Sequence, residues 1–79
     1  MYLVIIGTTD YIEDLRTFLV TSMVSHTLLE GTSSWRGLQL NAQVVITFTE
    51  EDALKVQKFM IEKCGQKSVP VAKIAAEFI

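Results

Sequence analysis

The sequence predicts an α+β domain with the element order β-α-β-β-α-β, in which two helices pack on one face of a four-stranded antiparallel sheet. Three observations carry this. Tyr2-Leu3-Val4-Ile5-Ile6 is an unbroken apolar run rich in β-branched residues, the pattern of a strand buried on both faces. Two stretches, one after that run and one after residue 49, repeat apolar residues at helical spacing. Each stretch is followed by extended, β-forming sequence, and the chain has 79 residues, enough for one domain only.

Gly7 ends the first strand, and Thr8, Thr9 and Asp10 supply side-chain oxygens where a helix begins. Asp10 followed by Glu13 matches a capping box in outline. Ile12, Leu15, Leu19 and Met23 form the apolar stripe of the first helix, widened by Tyr11 and Phe18. Residues 27–37 read as irregular: Leu28 and Leu29 either form a short strand or close the helix, and Glu30-Gly31-Thr32-Ser33-Ser34 has the composition of a loop. The chain then extends to a reversal at Asn41-Ala42. Residues 43–48 form a strand that gives Val44, Ile46 and Phe48 to the core and turns Gln43, Val45 and Thr47 the other way.

Thr49 caps the second helix, with Glu50, Glu51 and Asp52 in the first turn, where the helix dipole favours negative charge. Ala53, Val56, Met60 and Cys64 form its buried stripe, Leu54 and Ile61 flank it, and Gly65 stops it. A last extended stretch runs from Val69-Pro70 to Ile79, with Ala72, Ile74, Ala76 and Phe78 on one face and Val71 and Ile79 on the other. Right-handed crossovers put both helices on the same side of the sheet, the ferredoxin-like plan. The other face then carries apolar residues with nothing over them, and burial between subunits resolves this.

Composition narrows the function. With 49% hydrophobic residues and a mean hydropathy of +0.34, the chain holds more apolar material than a small core can hide. Seven basic and nine acidic residues, net −2, leave no basic stripe for DNA or RNA. The densest basic group, Lys55, Lys58, Lys63 and Lys67, reads as the solvated side of a helix and its exit or as a weak anion attractor. One cysteine, Cys64, and one histidine, His26, cannot supply a tetrahedral metal site within one chain. Cys64 reads as a small core residue and His26, near a helix end, as a dipole or capping group more than a catalytic one. Met1 leads straight into the strand with no positively charged leader, and no apolar run approaches the ~20 residues of a membrane span. The expectation is a soluble cytoplasmic protein without a membrane partner. No Ser-His-Asp, Cys-His or Walker-type spacing speaks for an enzyme.

Two stretches can hold an anion. Gly7-Thr8-Thr9-Asp10 offers amides at a helix start; the plainer reading, favoured on these features, is a strand exit with its N-cap. Trp35-Arg36-Gly37 combines a flat ring, a guanidinium fork and a flexible backbone, suited to a base and a phosphate; the plainer reading, favoured on these features, is Trp35 as an interface or core anchor with Arg36 in a salt bridge.

Several short motifs resemble, in order, the CutA branch of the PII-like superfamily: Thr8-Thr9 after the first strand, Ser33-Ser34-Trp35-Arg36-Gly37 before the second, Gln43-Val44-Val45-Ile46-Thr47-Phe48-Thr49, and Val69-Pro70 before the last. The family's His-Pro-Tyr stretch is replaced by Gly65-Gln66-Lys67-Ser68, and its Ala-Cys-Val-Asn region is absent, so its copper association is not carried over and no cofactor is expected. The resemblance implies a compact homotrimer with sheets facing inward. It also implies clefts between subunits that hold an anionic small molecule, such as a nucleotide, bordered here by Thr8, Thr9, Ser34, Trp35, Arg36, Lys67 and Ser68. A binding protein of this kind and a module whose apolar sheet face meets a different protein are the two readings. An enzyme using the same clefts is a third, less favoured one.

Overall fold

The computed structural model describes residues 1–7 and 10–79, and of Trp35 the backbone only. The elements are β1 (Tyr2–Ile6), α1 (Ile12–Thr21), β2 (His26–Trp35), β3 (Leu38–Thr47), α2 (Glu50–Glu62) and β4 (Val71–Lys73). All strand pairs are antiparallel, and the four strands lie in the order β2-β3-β1-β4. The fold is therefore α+β, with an open antiparallel sheet and two helices.

β1 sets the register. Val4 pairs with Val45 of β3 on one side and Val71 of β4 on the other. Val4, Ile6 and Val45 are fully buried and share one cluster with Leu15 and Leu19 of α1 and Ala53, Val56 and Met60 of α2. Both helices thus bury against the same face of the sheet. This inverts the expected phase of β3. Val45 and Thr47 face the helices, Val44 and Ile46 face the open side, and Phe48 lies past the strand, 59% exposed. Val44, Val45 and Ile46 are all apolar, so alternation alone does not say which face is inside; pairing with β1 decides it. Val71 likewise packs against the core instead of the open face.

α2 forms as its sequence dictates. Thr49 Oγ1 accepts the Asp52 amide at 3.2 Å, and Ala53, Val56, Met60 and Cys64 are buried. Past its end the Gln66 amide reaches the Met60 carbonyl at 3.0 Å, with Gly65 at φ +69° making the reversal.

α1 departs from expectation at both ends. Its N-cap position is Tyr11 and no side chain caps it, so the Asp10–Glu13 capping box does not form; Glu13 Oε1 instead accepts from Arg16 Nη1 at 2.6 Å. At the other end the helix stops at Thr21. Met23 adopts φ +55° and is 88% exposed, while Val24 enters the core. The Met23 amide bonds to the Val20 carbonyl (3.1 Å) and the Val24 amide to the Leu19 carbonyl (3.0 Å). These are the two bonds of a Schellman motif, completed by the apolar pair Val24 and Leu19.

The segment expected to be irregular is a strand. β2 pairs with β3 over its full ten residues, from His26–Thr47 to Trp35–Leu38. The reversal lies at Arg36-Gly37, whose φ values of +50° and +81° mark a two-residue type I′ hairpin turn, and not at Asn41-Ala42. Pairing with β3 overrides the loop-like composition of residues 30–34. At the C-terminal side the expected long strand shortens to β4. The ladder reaches one residue further, where the Ile74 amide donates to the Met1 carbonyl at 2.8 Å.

Met23 lies in the left-handed region without packing its side chain. Met23→Gly removes that strain and is expected to stabilise the protein by about 0.5–1 kcal/mol. Urea unfolding should show a raised midpoint at unchanged slope; a lowered midpoint contradicts the assignment.

Candidate functional site

The β2–β3 hairpin outruns the sheet. β1 ends at Ile6, opposite Gln43, and five more β2–β3 pairs follow before the turn: Gly31–Ala42, Thr32–Asn41, Ser33–Leu40, Ser34–Gln39 and Trp35–Leu38. At about 3.4 Å per residue the tip stands roughly 17 Å past the end of β1. Ser34, the Trp35 backbone and Arg36 sit at this tip, and the side chains of Ser34 and Arg36 are exposed.

Lys67 and Ser68 lie elsewhere, in the exposed segment between α2 and β4. That segment is tied to the end of β1, because the Ile5 amide donates to the Pro70 carbonyl (2.9 Å) and Gln57 Nε2 donates to the Val69 carbonyl (2.8 Å). They therefore flank the same end of the sheet as Gly7. Thr8 and Thr9 fall outside the described residues. Within one chain the register separates Ser34 and Arg36 from Lys67 and Ser68, so a cleft bordered by both groups requires a second copy.

The surface that could bring copies together is the open face. Leu38, Leu40, Ala42, Val44 and Ile46 alternate along the whole of β3 on that side. Across the register Val44 meets Leu29 of β2 and Ile5 of β1, and Ile46 meets Leu3. Leu29, Leu38, Leu40 and Ile5 remain 51%, 62%, 42% and 40% exposed. On the arm the helix-side face is polar, with Thr32, Ser34, Gln39 and Asn41, so the apolar stripe follows the open side and not hydrophobicity in general. The stripe is continuous across three strands, and nothing else among the described residues covers it.

On the opposite, helical face a groove runs between α1 and α2. Phe18 and Phe59 stack in it, ring centroids 4.2 Å apart and planes 9° from parallel. Two hollows share this pair and Lys63: one of about 330 Å³ beside Lys55, Lys58 and Glu62, and one of about 410 Å³ beside Tyr11, Asp14 and Cys64. The signal was present in the spacing. Tyr11, Asp14, Phe18 and Ser22 recur at steps of three and four along α1, and Lys55, Phe59 and Lys63 at steps of four along α2, so each set forms one line on its helix. The lysines alone read as a solvated face; it is Phe59 between them that makes the line a groove wall.

Several other polar groups have local partners or are buried. Arg16 Nη2 donates to Glu30 Oε1 at 2.7 Å and so clips α1 to β2. His26 begins β2 a few residues past the end of α1, and its Nδ1 lies 2.7 Å from the Val24 carbonyl, which can only accept, so Nδ1 donates there. Gln43 is buried on the helix side of β3, and its Oε1 has no hydrogen-bond partner among the described residues. The free thiol of Cys64 is buried, and burial pushes its pKa above the usual 9.0, with the Asp14 carboxylate acting in the same direction. Among the described residues no helix is long and apolar enough to cross a membrane, and no cluster of three or more His, Cys, Asp or Glu could hold a metal ion.

Compared with known family models and with curated proteins, the chain matches none.

Because the folded thiol is harder to ionise than the unfolded one, its contribution to stability is complete below pH 9.0 and is lost as pH rises through the higher folded value. Wild type should therefore lose more stability than Cys64→Ala between pH 8 and about 10.5. Parallel denaturation curves for the two proteins across that range contradict the assignment.

Proposed function

We propose that the chain is a CutA-like, PII-like domain with the ferredoxin-like plan, assembled as a cytoplasmic homotrimer that holds an anionic small molecule of the nucleotide class between subunits. The strand order β2-β3-β1-β4, with both helices burying on one face, supports the fold part of this reading. The observation that carries the rest is the pairing of an uncovered apolar sheet face with a hairpin whose tip overhangs its own sheet. Burying that face against other copies places the arm of one chain over its neighbour. Arg36 then approaches the neighbour's end of the sheet, where Lys67 and Ser68 are exposed and Gly7 leads into Thr8 and Thr9.

The chemistry of those groups suits an anion. A guanidinium grips phosphate oxygens through two parallel N–H donors, Lys67 adds a point charge, and Trp35 supplies a ring for a base. No residue of the cleft is assigned a catalytic role; the reading is of a sensor or sequestering protein.

Calorimetric titration of adenine nucleotides and cyclic dinucleotides against wild type and Arg36→Ala tests it. Removing charge-assisted bonds worth roughly 1.5–3 kcal/mol should weaken binding by about one to two orders of magnitude. Oligomer size should stay the same, since Arg36 lies in the turn and outside the apolar stripe. If no nucleotide binds and Arg36→Ala breaks the assembly, the hairpin is an interface element. The reading as a protein-interaction module then replaces this one.

A further inference from the structure

We propose that the groove between α1 and α2 is a second binding site, for a carboxylate carried on an apolar body of fatty-acid or aromatic-acid size. It lies on the face of the sheet opposite the open one, so it is independent of the cleft reading.

The groove floor is apolar and already shaped. Stacking of Phe18 on Phe59 at 4.2 Å fixes two rings that remain only half-buried, which leaves a preformed apolar floor between the helices. The two hollows on that pair, about 330 and 410 Å³, fall in the range of small-molecule sites.

Charge selects the occupant. Lys55 is held by Glu51 at 3.6 Å and Asp52 at 3.9 Å, but neither Lys58 nor Lys63 has an ion-pair partner among the described residues. Both line the first hollow, where Glu62 is the only acid beside three lysines. Asp14 lines the second. An acid therefore enters with its carboxylate at Lys58 and Lys63. Asp14 repels that end from the far hollow, so the apolar body lies across the phenylalanine pair towards Cys64. A neutral molecule gains only the floor, and an organic cation meets the lysines. Lysine stems, which carry the charge on flexible apolar chains, suit such a rim.

The test is an NMR titration of the ¹⁵N-labelled chain with octanoate and, separately, with 1-octanol. Octanoate should shift the amides of Phe18, Ser22, Phe59 and Lys63 saturably, and bind about tenfold or more tightly than 1-octanol. In the Lys58→Gln, Lys63→Gln double variant, octanoate affinity should fall about tenfold while 1-octanol binding is unchanged. Both lysines are exposed, so the variant keeps its fold, which its amide spectrum reports directly. Shifts confined to β3 on the open face would overturn the proposal. So would 1-octanol binding as tightly as octanoate, or an octanoate affinity that ignores the loss of both charges.

Discussion

One layer of helices covers a sheet that is apolar on both faces. Everything else in the structure follows from that mismatch. Val4 and Ile6 of β1 meet the helices and vanish from solvent, while Ile5 between them stays 40% exposed. The same division runs through β3, where Val45 is buried and Val44 and Ile46 line the open side with Leu38 and Leu40. A chain of 79 residues buries only about 60% of its unfolded surface, so it has little core with which to offset an exposed apolar face. Covering that face would add to the apolar burial of the folded chain.

The hairpin arm extends the same stripe beyond the region the helices reach. The Arg36-Gly37 turn has the twist that two antiparallel strands need, and it closes the arm in register. β2 is also an edge strand of ten residues, with one charged side chain, Glu30, and no proline. Long edges of this kind invite pairing unless they are covered. Contact with other chains would cover the arm, the edge and the face together, and the separation of Arg36 from Lys67 within one chain makes the proposed cleft depend on that contact.

Much of the fold was legible in the sequence where two independent signals agreed. For α2 the Thr49 cap, the acidic first turn and the stripe from Ala53 to Cys64 all place the same helix. β1 was legible because five apolar residues between Met1 and Gly7 fit little else. Legibility failed where local composition and long-range pairing disagree. Gly31, Thr32, Ser33 and Ser34 read as a loop, yet β3 holds them in register. Met23 fits the helical stripe, but the Schellman turn spends it on a reversal and gives its place to Val24. The phase of β3 was ambiguous because three consecutive residues are apolar. For the site, the Trp35-Arg36-Gly37 motif was visible, but not that it caps an overhanging arm. The groove stayed hidden because neither helix alone shows that Phe18 stacks on Phe59.

The central claim is that the open face is covered by other copies of the chain, and sedimentation velocity tests it most directly. Wild type at micromolar concentration should sediment as a multimer of trimer size. Leu40→Asp, which puts a charge on the open stripe but far from the helices, should sediment as a monomer with its circular dichroism intact. Gln39→Asp, one residue away on the opposite side of the same strand, should remain a multimer. A monomeric wild type, or a Leu40→Asp protein that sediments like wild type, would contradict the account.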